Sequence, residues 1–564
     1  METLVLVLVG AILVTAIADR RGLQPALVIM VFGLAVSFIP GVPHVELDSE
    51  ILLTVVLPPL LYSAALDFSV PNFIRNIRPI LGLGVAMVVI TAFVVGWVAS
   101  FFIAEFTFAL ALLVGAVAAP PDAVTAVAIG RKLGLPKRVM AILTGESLVN
   151  DAAALSLFAI AVSAIAGTHA FIGNPVLLFG YNAILGPVVG AVLGYATLWI
   201  RRHLRSPGLE TVQGFVVPFA AYLAAENIHA SGVLAVVIAG FVVGSGSVHA
   251  SYQTRLQERY VWNSVDVLLE AFVFAYIGLQ MRWVVEDLRE ARESLLGIAV
   301  TSTLVLLVVL LIRPVCVFLM YGRGALFRSV VRRVPRSVAE RSSRARVAAR
   351  AIPRRTRRGP TGWRRRIDRR PLSWQESLVV SWTGMRGVVT LAAASGIPEL
   401  TGSGEPFPER SAVQAIAFVV AVGTVLIQGS TLPWLISRMH LGSEDDEVTA
   451  AAEAAKAEKI VETAANLVIR DFFDDPPLGL SSTTVEYVRG AVARQTSEER
   501  PDPAARTARA EAFARLYRDV LATQRRSLID NRDNGDLGDE ATRAMLERLD
   551  MQEAGVSARL QSRL

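Results

Sequence analysis

The stretch GESLVNDAAALSLF, residues 145–158, sets Glu146, Asn150 and Asp151 inside a run that otherwise reads as a lipid-buried helix. An ionised carboxylate at the centre of a membrane helix costs about 3 kcal/mol on the lowest scales, so each one must be paired or must work. Glu146 and Asp151 are five residues apart, which on a helix turns them about 140° from each other, so one small cation is not easily held by both. Ser147 and Asp151, at i and i+4, share a face and offer a hydroxyl and a carboxylate to a single hard cation. Glu146, on another face, is free to pair with an arginine from a neighbouring span, an arrangement that fixes how two helices meet more than it stabilises them.

Four more charges lie in apolar surroundings: Asp122 in AVAAPPDAVTAVAI, Glu270 in LLEAFVFAYIGL, Arg313 in VVLLIRPVCVF and Arg386 in SWTGMRGVVTLAAA. Pro120 and Pro121 remove two amide donors and disfavour the α conformation before each ring, so the helix breaks there. Asp122 directly follows and is placed to cap the positive end of the second half-helix. Gly384-Met385-Arg386-Gly387 reads as a matching break, with Arg386 near the opposing dipole ends. Asp266 and Glu226 fall near the ends of apolar runs and read as solvated; Glu270 reads either as a gate or as a helix–helix bond.

The elements that carry these residues follow from composition. With 53% hydrophobic and 18% charged residues over 564 positions and a mean hydropathy of +0.50, a soluble domain around one core is excluded. Thirteen apolar runs lie near 3–18, 23–40, 50–67, 77–103, 108–130, 137–166, 176–200, 210–227, 231–246, 262–281, 295–321, 374–397 and 411–437. The first lacks a basic leader and a small-residue cleavage site, and reads as a retained span rather than a signal peptide. Arg and Lys concentrate in alternate loops, including Arg20/Arg21, Arg131/Lys132/Lys137/Arg138 and 323–370, which gives an N-out, C-in topology; only the loop after Met281 and Arg410 depart from it. The breaks fall in the fifth spans of an opening and a closing block of six. With the seventh span as a linker, the blocks start on opposite sides, the pattern of an inverted-repeat secondary transporter.

The expected fold class is therefore an all-α polytopic membrane protein of about 13 helices, with a transmembrane domain over 1–440 and a cytoplasmic helical regulatory tail over 441–564. The Arg-rich loop 323–370 reads as a solvated cytoplasmic loop, or more sharply as a patch for anionic lipid; nucleic acid is not an expected partner. Cys316 is the single cysteine, and no cofactor is implied. The six histidines all fall in loops or at span edges.

The motifs LPPLLYSAALDF, PPDAVTAVAI, GESLVNDAAAL, FVFAYIGLQ, GMRGVVTLAAA and VGTVLIQGSTLP occur in the order found in the cation:proton antiporter-1 family, and the chain resembles its bacterial sodium/proton antiporters. The resemblance covers roughly residues 1–440. It implies a homodimer whose core domain, spans 4–6 and 11–13, moves against a dimerisation domain of spans 1–3 and 7–10, with the broken helices crossing. It implies that Asp151 takes Na⁺ or H⁺ in turn, that Asn150 marks electroneutral exchange, that Ser147 and Asp122 are ion-site positions, that Glu146 pairs with Arg313, and that Arg386 sits at the crossing. The chain departs from the family where a threonine and a proline flanking the aspartate are replaced by Pro121 and Ala123. It departs again at Ser63, where many members carry an acid; Asp67, one turn on, is the candidate substitute.

The function expected is antiport of H⁺ against a monovalent cation, Na⁺ first and Li⁺ or K⁺ as alternatives, in the cell membrane. One-for-one exchange is electroneutral; titration of Asp122 would raise it to two protons. A channel would need a continuous ring of ligands, and a sensor would signal through the tail without turnover at Asp151. Neither the spans nor the tail carry a nucleophile–base or metal-ligand cluster of an enzyme.

Overall fold

The computed structural model describes all residues except 1, 41–50, 102–106, 123, 168–171, 173, 205, 291–293, 322–371, 440, 442–443, 477–481, 483–484, 487–488, 490–502 and 562–564. The Arg-rich loop at 323–370 thus lies outside the described residues. These are all helix and connection, apart from one isolated bridge between Leu400 and Pro406.

The helices of eight residues or more up to Met439 are α1 (Glu2–Arg20), α2 (Pro25–Ser37), α3 (Leu52–Asp67), α4 (Ile77–Ala99), α5 (Phe108–Ala118), α6 (Val124–Lys132), α7 (Lys137–Ala166), α8 (Pro175–Arg201), α9 (Pro207–Glu226), α10 (Gly232–Gly246), α11 (Tyr252–Leu279), α12 (Met281–Glu290), α13 (Leu295–Tyr321), α14 (Trp374–Trp382), α15 (Val388–Ser395) and α16 (Arg410–Met439). Eight of the described helices are long and apolar enough to cross a membrane, α4, α7 and α16 among them; α2, α3 and α5 are apolar but shorter. Every apolar run coincides with helix, the fifth and twelfth as two pieces each. α11 starts at Tyr252, well before its apolar run, because hydropathy registers only the part of a helix that is uniformly apolar.

Prolines leave local marks. Pro58 and Pro59 cannot donate to Thr54 and Val55, and the turn before them widens to π geometry, Leu57 N–H reaching back five residues to Leu52 O. Downstream of Pro79, residues Gly82–Ala86 do the same. Small residues let other helices approach: a Cβ on Gly115 of α5 would collide with the Ala92 backbone of α4.

The chain divides into two compact units. The first comprises Met1–His203, Val212–Gly244 and Val261–Gly442, and its apolar clusters centre on Leu143, Phe274 and Phe418, on Val95, Leu113 and Val420, and on Tyr62, Val236 and Phe241. The second comprises Leu204–Thr211, Ser245–Tyr260 and Ser443–Leu564. It contains α17 (Glu444–Asp474), α18 (Pro503–Asp533) and α19 (Asp539–Gln561), packed through Ala457, Leu521, Leu528, Leu546 and Leu549 against Val248. Asp550 is buried there. It accepts from Arg255 Nε at 2.6 Å and Nη2 at 2.5 Å, and from Arg525 Nη2 at 2.8 Å. The tail is thus tied to residues 245–260 by a charge network as well as by leucines.

Removing one partner of a buried ion pair costs about 3 kcal/mol, because the remaining charge stays desolvated. Asp550→Ala in the full-length protein is therefore expected to speed hydrogen exchange of the α19 amides by about two orders of magnitude. Unchanged exchange would show that leucine packing alone holds α19.

Candidate functional site

α5 ends at Ala118, just short of Pro120 and Pro121, and its last carbonyls have no helical donors. Arg386 supplies them. Its Nε donates to Ala118 O at 3.1 Å, its Nη2 to Ala119 O at 3.4 Å, and its Nη1 to Gly384 O. The reciprocal bond runs from Asp122 N–H to Met385 O at 2.5 Å. Asn150 Nδ2 holds the first break by donating to Pro121 O at 2.5 Å, and Thr424 Oγ1 holds the second by accepting from Arg386 N–H at 2.9 Å. The two interruptions therefore meet and satisfy each other's peptide groups.

Their charges are matched as well. The Arg386 guanidinium lies at the negative end of α5, and the Asp122 carboxylate lies against Gly387, the residue that opens α15. Asp122 was expected to cap its own half-helix, α6; the contact seen is between its carboxylate and the start of the opposite one. A Cβ on Gly387 would overlap that carboxylate, and one on Gly384 would press into Arg313 and Arg386, so both ends of GMRG require glycine.

Glu146 and Arg313 form a two-pronged pair, with Nη1 to Oε1 at 2.5 Å and Nη2 to Oε2 at 2.8 Å, both residues 1% exposed. Arg313 Nε also donates to Val380 O at 3.1 Å, on α14. One ion pair thus joins α7, α13 and the half-helix before the second break.

Asp151 points elsewhere. It lines a cavity of about 290 Å³ together with Thr144 and Ser147 from α7, Asp122 and Gly387 from the breaks, Ser63 and Asp67 from α3, and Asp266 and Glu270 from α11. Positions 144, 147 and 151 recur at intervals of three and four, so α7 turns one polar stripe to the cavity and its Glu146 face to Arg313. Asn150 is fully buried and is not among the lining residues; its amide serves the break, and its Oδ1 has no hydrogen-bond partner among the described residues. The lining holds five carboxylates and one guanidinium, Arg131, a balance that draws cations.

Thr144 and Asp266 are among the lining residues that were not read from the sequence as part of the site. Thr144 was visible as the residue two turns before Asp151 on the same face. Asp266 was expected to be solvated at a span end; instead its Oδ1 accepts from Ser63 Oγ at 2.5 Å inside the cavity, because α11 extends as helix past its apolar run. Glu270 lines the same wall and makes no hydrogen bond or ion pair among the described residues, which removes the helix–helix bond as its role. Glu226, also read as solvated, caps α10 by accepting from Gly232 N–H at 3.2 Å.

Two interrupted apolar helices that neutralise each other beside a carboxylate-lined cavity define a secondary transporter. The chain belongs to the sodium/hydrogen exchanger family, whose transmembrane region it matches over residues 4–438. It is 30% identical over 443 residues to an uncharacterised Na⁺/H⁺ exchanger of Mycobacterium tuberculosis, covering 77% of this chain and 73% of that one. It is 26% identical to the Na⁺/H⁺ antiporter ApNhaP of Aphanothece halophytica, covering 75% and 70%. In fold it resembles the sodium proton antiporter MjNhaP1 of Methanocaldococcus jannaschii, with a TM-score of 0.56, 19% identity and coverage of 78% and 98%. The protein is a multi-pass cation/proton antiporter.

Because the Glu146–Arg313 pair is sealed from water, deleting one member should cost more than replacing both. Arg313→Ala is expected to destabilise the detergent-purified protein by about 3 kcal/mol, whereas Glu146→Leu with Arg313→Met should recover most of that loss. The check is the thermal midpoint of each variant; an equal loss in both would mean that the pair contributes net stability.

Proposed function

We propose that the protein exchanges one Na⁺ for one H⁺ across the cell membrane, with the two ions competing for Asp151. The observation that carries this reading is the separation of charges on α7: Glu146 is consumed by Arg313, while Asp151 alone faces the cavity. A carboxylate that is either protonated or bound to Na⁺ is neutral in both forms, and Asn150 adds no titrating group beside it. The translocated site therefore carries the same net charge in each direction. Ser147, with Thr144 one turn further, supplies hydroxyls to a cation at Asp151, and Asp122 keeps the local potential negative.

In this reading the topology is N-out and C-in with thirteen crossings, and spans 4–6 with 11–13 move as a core against spans 1–3 and 7–10, the latter forming a homodimer. The tail regulates from the cytoplasm, and the Arg-rich 323–370 segment meets anionic lipid. The alternating arginine pattern of the loops supports the topology.

Proteoliposomes with a pH-reporting dye test the proposal. Adding Na⁺ at a potential clamped by K⁺ and valinomycin should move protons at a rate independent of the clamped value, and Asp151→Asn should abolish the movement while retaining a monodisperse elution profile. Li⁺ is run beside Na⁺, and K⁺ separately without the clamp. A potential-dependent rate would overturn the one-for-one stoichiometry, and silence with all three cations would overturn antiport. Competition makes a second prediction. On the acid side, where protons occupy the site, the Na⁺ concentration for half-maximal rate should rise about tenfold for each unit fall in pH, with the saturating rate little changed. A half-saturation flat with pH would mean that the two ions bind at separate sites.

A further inference from the structure

The established class of transport requires one carboxylate that exchanges ions. The cavity holds others, and Asp266 is one that a hydroxyl from a second helix holds. It sits on α11, and Ser63 of α3 donates to its Oδ1 at 2.5 Å. Ser63 is itself buried, and its single hydroxyl proton goes to the shorter contact, the one to Asp266, with Leu60 O as the competing acceptor at 3.1 Å. No other hydrogen bond or ion pair to Asp266 exists among the described residues, which leaves Oδ2 without a protein donor. Both Ser63 and Asp266 line the same cavity as Asp151.

The neighbours set the electrostatics. Asp266 interacts electrostatically with Asp67, Arg131 and Glu270; Glu270 also interacts with Asp122, and Asp122 with Asp151. The carboxylates thus form an unbroken series, each within electrostatic reach of the next. Arg131 is the one basic residue that lines the cavity among the described residues. A hydrogen-bonded carboxylate with a free oxygen suits a partly hydrated monovalent cation, which exchanges a water for an oxygen ligand at little cost.

We propose that Asp266, oriented by Ser63, is an accessory cation-binding residue that meets the ion between the cavity mouth and Asp151. The inference rests on the antiport reading and adds to it a second carboxylate, delivered by α11 to the hydroxyl of α3. Asp67 is the less suited residue for this role, because it lies exposed one turn outward at the end of α3, whereas Ser63 and its bonded partner lie deeper. α3 and α11 are separate from α7, so in the proposed mechanism Asp266 stays with the scaffold and passes the ion to a carboxylate that moves.

A residue that attracts the ion without carrying it should alter affinity and spare turnover. In full-length protein in proteoliposomes, Asp266→Asn is expected to raise the Na⁺ concentration for half-maximal proton movement about tenfold, about 1.4 kcal/mol, with the saturating rate within about twofold of wild type. Asp266→Glu should restore half-saturation to within about threefold, and Ser63→Ala should shift it about threefold by releasing the carboxylate. Asp67→Asn should shift it less than Asp266→Asn does. A bond that merely joins α3 to α11 predicts the opposite split, with a lowered thermal midpoint and saturating rate and an unchanged half-saturation, and that result would overturn the proposal. Wild-type exchange with normal half-saturation in Asp266→Asn would overturn it too, leaving antiport intact. A wild-type protein inert toward Na⁺, Li⁺ and K⁺ would remove both readings together.

Discussion

Arg386 binds the carbonyls at the end of α5, and much of the site's geometry depends on that contact. Two helices interrupted at membrane depth leave peptide groups that neither lipid nor water can satisfy, and each unsatisfied group costs several kcal/mol. The solution is reciprocal. Arg386 serves the carbonyls of the first break, Asp122 donates its N–H to the second, and its carboxylate approaches the start of α15. Neither interruption is stable alone, so the crossing fixes the position of both half-helix ends. The cavity and Asp151 inherit their place from it.

α7 divides its charges by rotation. Glu146 is turned to Arg313, which also bonds the Val380 carbonyl just before the second break, so the sealed pair braces the crossing from behind. Thr144, Ser147 and Asp151 follow a three-and-four spacing onto the cavity face. Asn150 lies between the two faces and reaches the Pro121 carbonyl. One helix therefore carries a structural charge, a backbone clamp and a cavity-facing carboxylate within two turns. Exchanging any of these for another would leave a buried charge without a partner.

The legible parts of this arrangement are those where residue type alone forces the backbone. Pro120-Pro121 and GMRG announced the breaks because proline lacks a donor and glycine tolerates the approach of Asp122 and Arg313. The rotation of Glu146 from Asp151 followed from helical pitch. Spacing could not say which arginine meets Glu146, since Arg313 and Arg386 were both in apolar surroundings; only the family resemblance chose between them. Asp266 was hidden because a hydropathy window treats a polar residue near the end of an apolar run as solvent-facing, and helix α11 continues for turns beyond that run. The tail's anchorage was hidden by distance, Arg255 and Asp550 being 295 positions apart.

The series of carboxylates bears on why a cavity is needed at all. Two like charges 4 Å apart repel by about 4 kcal/mol at an effective dielectric of 20, and far more in a dry interior. Asp266, Glu270, Asp122 and Asp151 are coupled in sequence, and among the lining residues only Arg131 offsets them. Ionising every member of such a row is costly, and a mobile cation or a bound proton relieves that cost. The other members are partly exposed and better screened, while Asp151 is nearly sealed, 6% exposed, and has the least screening. The need for a cation or a proton is therefore greatest at the innermost carboxylate. An ion that enters at the mouth lowers the repulsion at each step inward, and in the proposed mechanism that gradient, rather than any single strong ligand, leads it to Asp151.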